Sequence, residues 1–286
     1  MSHIEPGIDL SALGVTVEDG NLFDSPKEHS DDFVAVAGPS LRRDDGSAVH
    51  PLYAVVPPTG ILQVAQKRLL RSVPGPVHDV HASSYFHLHA LLRPPTKIRN
   101  AAAPIAIFPT PVGTATLVKL SSWDADGTLL WEQYNTSIAL GTTWVDKLYG
   151  DPGPEFTVGQ PQPGREPTSI PIEITRDAPE RFAVVQRDNH PMHYDDAFAK
   201  AAGYPGIIAH GTHTLALSAA AIITEVAPDN PASLKVFGGR LSGGAMPGSM
   251  LTLRLWPDPG NDRQWSFDLI DGSGKPILKR GVAAFG

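Results

Sequence analysis

GTHTLALSAAAIITEVAP, residues 211–228, is the stretch of sequence that decides the fold expected for this chain. Leu215, Ala219 and Ile222 recur at helical spacing, and Pro228 ends the run because proline cannot continue a helix. Further alanine, leucine and isoleucine residues carry the apolar surface around the circumference, and a helix that is apolar on more than one face is normally buried. The sequence therefore predicts a buried helix wrapped by a β-sheet.

The segments after this helix are typical of strands, and the first half of the chain repeats the same order of elements. There, Thr59 is expected to cap a helix that carries Ile61 and Leu69 on its apolar face. Glycine-containing turns follow at matching places, residues 124–127 and 271–274. The predicted strands are residues 80–91, 115–123 and 129–139 in the first half and residues 234–241, 250–256, 265–270 and 277–285 in the second. One helix followed by an antiparallel meander, twice, predicts an internally duplicated α+β protein.

The chain contains 28 prolines and 27 glycines, and these residues are densest in residues 150–171. Such a composition is typical of a linker. We therefore predict an N-terminal repeat over residues 1–149, a linker over residues 150–171 and a C-terminal repeat over residues 172–286. The Gly238-Gly239 pair lies in a strand-like segment and predicts a bulge or turn, not a phosphate loop.

Composition excludes several functions. The formal charge of −7, from 30 acidic and 23 basic residues, gives no broad positive field for nucleic acid. The absence of cysteine excludes disulfides, thiolate metal sites and a cysteine nucleophile. No run of about 18 apolar residues occurs, and the first ten residues lack a signal-peptide core. We therefore expect a cytoplasmic protein with neither nucleic acid nor membrane as a partner.

Titratable side chains are dense between the linker and the second helix. Asp188 and His193 lie five residues apart, and Pro191 between them favours a loop that brings both side chains to one point. A carboxyl and an imidazole that share one water suit hydration of a double bond conjugated to a thioester, because water loses a proton as it attacks C3 and C2 gains one. The dense set is Asp188, His190, His193, Asp195, Asp196, His210 and His213.

Gly211 stands at the predicted start of the second helix. Its backbone N–H is one of the donors that a helix N-terminus leaves unpaired, and the helix dipole strengthens it. Negative charge develops on the thioester oxygen during hydration, and the missing side chain lets that oxygen approach closely. The position predicts an oxyanion site.

The motifs around these residues resemble those of a known family. Residues 188–193, Asp195, residues 199–205 and residues 209–211 are similar to the pattern G-D-x-N-P-[LIV]-H-x-D, then A-x-x-x-G-[FY]-x-x-x-[IL]-x-H-G, of the MaoC-like, or type 2, enoyl-CoA hydratases. The resemblance implies a double hotdog fold, in which each repeat wraps a central helix in an antiparallel sheet. It also implies a hydro-lyase that reversibly hydrates (2E)-enoyl thioesters to (3R)-3-hydroxyacyl thioesters.

The resemblance also assigns roles to residues. It implies that Asp188 and His193 are the catalytic acid–base pair and that Gly211 is an oxyanion donor, with the motif in the C-terminal repeat. The N-terminal repeat lacks a matching Asp-to-His pair, so we expect it to shape the acyl pocket. The substrate is expected to be a thioester of coenzyme A or acyl carrier protein, without a cofactor or metal, and the chain is expected to form a homodimer.

Two positions depart from the family pattern. Arg187 stands where the family usually has Gly, and His190 stands where it usually has Asn. We expect His190 to take the place of the Asn as a substrate-binding donor, or to mark a subfamily with different chemistry. His210, directly before Gly211, is expected to orient the site and not to transfer protons itself.

Other interpretations remain open at this point. A hotdog thioesterase would direct water at the thioester carbonyl, and a non-catalytic acyl-binding subunit of a heteromeric hydratase would accommodate the two departures. Asp188 and His193 are also compatible with a solvated loop. A metal site is the last alternative, from the pairs His190/His193, His210/His213 and His87/His89. The group His78, His81, His87 and His89 is more typical of a sheet face or pocket wall.

Overall fold

The computed structural model describes residues 3–38, 41–42, 48–73, 78–157 and 165–286. Its helices are α1 (Lys27–Ala37), α2 (Thr59–Leu69), α3 (Ala178–Gln186), α4 (Asp196–Ala201) and α5 (Gly211–Val226). The strands of the first half are β1 (Val17–Glu18), β2 (Phe23–Ser25), β3 (Leu41–Arg42), β4 (Ala48–Val49), β5 (Asp79–Leu88), β6 (Thr96–Thr110), β7 (Gly113–Trp123), β8 (Leu129–Leu140) and β9 (Tyr149–Gly150). Those of the second half are β10 (Thr168–Glu173), β11 (Leu234–Leu241), β12 (Met250–Asp258), β13 (Asn261–Ile270) and β14 (Pro276–Phe285).

One antiparallel sheet of twelve strands runs through both halves. Its order is β1-β6-β7-β8-β5-β11-β14-β13-β12-β10, with β2 and β9 also paired to β6. The two halves join where β5 pairs with β11, with His87 opposite Val236 and Ser83 opposite Arg240. The two repeats therefore share a continuous sheet.

Gly238 allows β5 and β11 to approach at this junction. A side chain there would collide with the backbone of Ser84 and Tyr85 on β5. The pairing of β11 with β14 shifts register between Gly238 and Arg240, which confirms the predicted bulge.

The central helix of the second half is buried, as predicted. Leu215, Ala219 and Ile222 of α5 are fully buried and belong to the main core with Leu253 and Phe267 of the surrounding strands. In the first half, α2 packs Ile61 and Ala65 in a smaller core with Val118 and Leu120 of β7. The expected α+β class is confirmed, and α2, with 11 residues, is shorter than α5, with 16.

Most predicted elements are present, and the differences have local causes. The seven predicted strands are confirmed as β5, β7, β8 and β11–β14, with shifted ends. Thr59 is not the cap of α2: Pro58 occupies that position, and Thr59 Oγ1 donates instead to the carbonyls of Val55 and Val56, at 3.0 and 3.1 Å. β6 was not predicted, because alanines replace polar–apolar alternation in it and Pro104 lies beside a register shift.

The boundary between the repeats is described only in part. Residues 158–164 of the predicted linker lie outside the described residues, and β10 begins at Thr168, before the predicted linker end at residue 171. The division into residues 1–149, 150–171 and 172–286 stays a prediction. In the part of the chain that the structure describes, no helix is both long and apolar enough to cross a bilayer.

Candidate active site

Asp188 lies just after the C-terminus of α3, on a left-handed turn. Arg187, the cap residue, has φ of 59°, and the N–H of Asp188 donates to Ala183 O at 3.1 Å. Glycine is the usual residue at such a position, which gives a physical reason why the family pattern has Gly where this chain has Arg. The guanidinium of Arg187 lies 4.5 Å from the ring centroid of Phe23, a cation–π contact.

His193 is positioned by a short 3-10 helix, Pro191–His193. Its Nδ1 lies 2.8 Å from Ile208 O, so Nδ1 carries the proton and donates it, and Nε2 keeps its lone pair. Burial lowers the pKa of His193 below its ordinary value of 6.5, because the charged imidazole loses solvation. The ring is therefore neutral and basic at Nε2 at physiological pH.

His210 is almost fully buried and supports both members of the pair. Its Nε2 donates to the backbone carbonyl of Asp188 at 3.3 Å, and its ring stacks on His193 at 3.5 Å between centroids. Burial, followed by the proximity of His193, lowers the pKa of His210 to about 3. A ring that stays neutral and buried suits the orienting role expected for it, which remains a prediction.

His190 lies at the exposed edge of the site. Its Nδ1 accepts from Met192 N at 3.4 Å, and its ring packs edge-on against Phe198. The N–H of His190 in turn donates to Asp188 Oδ1 at 3.1 Å. The side chain caps the 3-10 turn that carries His193, and it also lines the cavity described next, so a substrate contact for His190 stays a prediction.

Gly211 is the first residue of α5, as predicted. Thr212 Oγ1 donates to Gln186 Oε1 at 2.7 Å and ties the start of α5 to the end of α3. A Cβ on Gly211 would collide with Leu241 Cδ2, so glycine at the start of α5 allows Leu241 of β11 to pack there without rearrangement. The need for close substrate approach is thus not the only reason for glycine at this position.

A cavity of about 400 Å³ joins these residues to the first half of the chain. Asp188, His193 and Gly211 line it from the C-terminal repeat. His81, Gln133 and Asn135 line it from β5 and β8, together with apolar residues that include Leu62, Leu120 and Leu140. His81 thus lies in a pocket wall, one of the two places predicted for it. Gln133 and Asn135 were not identified from the sequence, although polar residues at alternate positions of an otherwise apolar strand could have indicated that this strand faces a pocket.

A larger groove of about 740 Å³ lies elsewhere, near the C-terminus of α5, and includes Asp229 and Lys235 in its wall. Asp188 and Gly211 are at the other end of that helix, which spans about 24 Å. This groove is larger, but it is not the candidate active site, because Asp188, His193 and the N-terminus of α5 line the smaller cavity.

The same residues must also be considered as a metal-binding site. Asp188, His193 and His210 each place a ligand atom within 4.8 Å of the others. The two imidazole rings, however, are stacked with an interplanar angle of 23°, so their free lone pairs lie in nearly parallel planes and do not converge on one ion at about 2 Å. Among the described residues, His213 is not part of this group of ligand atoms, and its Nε2 lies 2.9 Å from Val36 O. The residues present fit an acid–base pair better than a metal site.

Comparisons with known proteins show what the chain is similar to. Residues 158–266 match the MaoC-like domain family. The chain is 26% identical over 219 residues to peroxisomal multifunctional enzyme type 2 of Drosophila melanogaster, covering 74% of the chain and 36% of that protein. It is 27% identical over 182 residues to enoyl-CoA hydratase ChsH3 of Mycobacterium tuberculosis, covering 63% of the chain and 61% of the relative. The chain thus spans about a third and about three-fifths of these two relatives.

The fold is shared over the whole chain. A crystal structure of a MaoC-like dehydratase from Phytophthora capsici superposes with a TM-score of 0.80 at 18% identity and covers 97% of each chain. The double hotdog fold is therefore confirmed. The chain therefore has a double hotdog fold, and residues 158–266 of its C-terminal half are similar to the MaoC-like domain family.

Proposed function

We propose that this chain is a hydro-lyase that reversibly hydrates (2E)-enoyl thioesters of coenzyme A or acyl carrier protein to (3R)-3-hydroxyacyl thioesters. The observation that carries the proposal is the convergence of Asp188 and His193 at the wall of a cavity that the N-terminus of α5 also lines. The names of the two relatives, one an enoyl-CoA hydratase, support the same class of substrate.

His193 is suited to accept the proton of water. Its Nδ1–H is held by Ile208 O, so the lone pair of Nε2 is the basic site. As an O–H bond of water breaks toward this lone pair, the C3–O bond forms and the π electrons move to the thioester oxygen. The charge then returns to C2, which gains a proton from the Asp188–His193 pair. The pair titrates as a unit, so the two proton transfers belong to both residues together.

The thioester oxygen is placed in this proposal at the first turn of α5. Gly211 and its neighbours begin a helix of 16 residues, whose first N–H groups have no partner within the helix. These donors and the helix dipole stabilise the enolate-like charge that develops during the attack. We also propose that the protein is cytoplasmic and forms a homodimer. The name of one relative, by contrast, is that of a peroxisomal enzyme.

The proposed reaction can be tested by following defined enoyl thioesters and identifying their products. We expect purified protein to remove the enoyl-thioester absorbance of crotonyl-CoA and of longer (2E)-enoyl-CoAs without releasing free thiol, and to give the 3R product on chiral chromatography. Release of thiol from a saturated acyl-CoA would instead identify a thioesterase. Absence of both reactions across the panel would contradict the proposal.

The pH dependence of hydration should report on the base. Because burial places the pKa of His193 below 6.5, the ring is neutral above that pKa and kcat/KM should be level there. As the pH falls through this pKa, kcat/KM should decrease about tenfold per pH unit. The measurement is a profile of kcat/KM for crotonyl-CoA from about pH 5 to about pH 8. A fall centred above 6.5 would argue against His193 as the base, provided that circular dichroism shows the protein folded throughout.

A further inference from the structure

The N-terminal repeat presents polar side chains to the cavity. Gln133 and Asn135 on β8 are both 4% exposed, and Ser84 on β5 is fully buried. Gln133 Nε2 donates to Ser84 Oγ at 3.0 Å, and His81 Nε2 lies 2.9 Å from the same Oγ. These four residues are called the polar cluster below.

The N-terminal part of α2 also lines the cavity beside the polar cluster, through Thr59 and Leu62. Ser137, two residues beyond Asn135 on the same face of β8, lines the cavity as well, but its Oγ already accepts from Gln66 Nε2 of α2 at 3.1 Å. The hydrogen bonds of Asn135 run to β5 and not to α2.

One hydrogen-bonding atom of Asn135 has no partner. Nδ2 lies 3.0 Å from His81 Nε2 and 3.4 Å from Ser84 Oγ, whereas Oδ1 is buried and unpaired. Turning the amide by half a revolution exchanges the two atoms, and an unpaired donor then takes the place of the unpaired acceptor. Buried polar groups are nearly always hydrogen-bonded, so this amide requires a partner from outside the chain, which is either a water molecule or a group of the ligand that occupies the cavity.

The chemistry of a ligand group that pairs with the Asn135 amide follows from the surroundings of that amide. A hydroxyl both donates and accepts, so it satisfies Asn135 in either orientation. No lysine or arginine of the described residues lines the cavity, and burial lowers the pKa of His81 to about 4, which leaves that ring neutral. A neutral hydroxyl therefore fits the cluster, whereas a carboxylate or phosphate does not.

We infer that the acyl group bound by this chain carries a hydroxyl substituent beyond the reacting double bond, and that Asn135 and the polar cluster recognise it. The inference rests on the proposed function, since the cluster shares its cavity with Asp188 and His193. The apolar residues Leu62, Leu120 and Leu140 would then bind the hydrocarbon on either side of the hydroxyl.

The experiment compares (2E)-octenoyl-CoA with a series of the same length that carries one hydroxyl at each successive carbon from C5 outward. We expect one position to give a kcat/KM about tenfold or more above that of the plain chain, because a site that bonds a hydroxyl discriminates against an analogue without one. Asn135→Leu, of similar volume, should remove this preference. The matched control is Ser137→Ala, which changes the same face of β8 at a hydroxyl already bonded within the protein, and it should keep the preference.

The outcomes separate the two proposals. If the plain chain is hydrated as well as every hydroxylated one, the inference is wrong and the proposed function stands. If no enoyl-CoA is hydrated, the proposed function is wrong, and binding of the saturated hydroxyoctanoyl-CoA series, measured by calorimetry, decides the inference. Equal binding with and without the hydroxyl would overturn it, as would unchanged discrimination in a folded Asn135→Leu variant.

Discussion

Asp188→Asn should lower kcat/KM for hydration of crotonyl-CoA by about 10³-fold, the range expected when a positioned acid–base group is lost. Asparagine has the same shape as aspartate, and its Oδ1 can still accept from the N–H of His190, now at 3.1 Å. The fold should therefore survive, and the loss should appear in kcat. His193→Ala should cost a similar factor, and the double variant should lose little more, because the two residues act as a unit.

The control for this variant lies seven residues away. Asp195 caps α4 through its Oδ1, which accepts from Phe198 N at 3.0 Å, and asparagine caps helices equally well. Asp195→Asn removes the same charge from the same region and should keep the wild-type rate. If Asp188→Asn also keeps it, the acid–base assignment is wrong and a non-catalytic acyl-binding role becomes the better hypothesis.

The second repeat could be predicted well because its determinants are local. The apolar residues of α5 specify a buried helix by their spacing alone, and the turn at residues 271–274 forms where Asp271 Oδ1 accepts from two backbone N–H groups. The loop that carries Asp188 and His193 was recognised as a candidate site through its motif, which also marked Arg187 as unusual. The structure adds the reason, since a left-handed φ usually filled by glycine is occupied here by arginine.

The first repeat could be predicted less completely because its determinants are not local. β6 has proline and alanine where a strand pattern would alternate, and it is stabilised by pairing with β7, β1, β2 and β9. The polar cluster is formed by the register of β5 on β8, which sets Ser84 opposite Asn135. Polar residues at alternate positions of β8 mark Asn135 in the sequence, but only the strand pairing sets Asn135 beside Ser84 at the cavity that Asp188 also lines.

Gly211→Ala is expected to lower kcat/KM by about 10²-fold, because a small displacement of a group that holds the substrate can cost this much. The backbone of Gly211 is not left-handed, so alanine meets no conformational barrier there. Its methyl group instead collides with Leu241 Cδ2, so either this side chain turns within the cavity wall or the start of α5 moves away from β11. In both cases groups that surround the thioester in the proposed mechanism are displaced.

Leu241→Ala provides the means to separate packing from catalysis. Alone, it measures the cost of removing an apolar side chain from the cavity wall. Combined with Gly211→Ala, it removes the collision, so the double variant should recover most of the lost rate and the thermal midpoint should return to that of Leu241→Ala. Recovery of the midpoint without recovery of the rate would mean that the methyl group obstructs the thioester itself. Full activity of Gly211→Ala alone would contradict the prediction and would mean that Leu241 turns aside while the start of α5 stays in place.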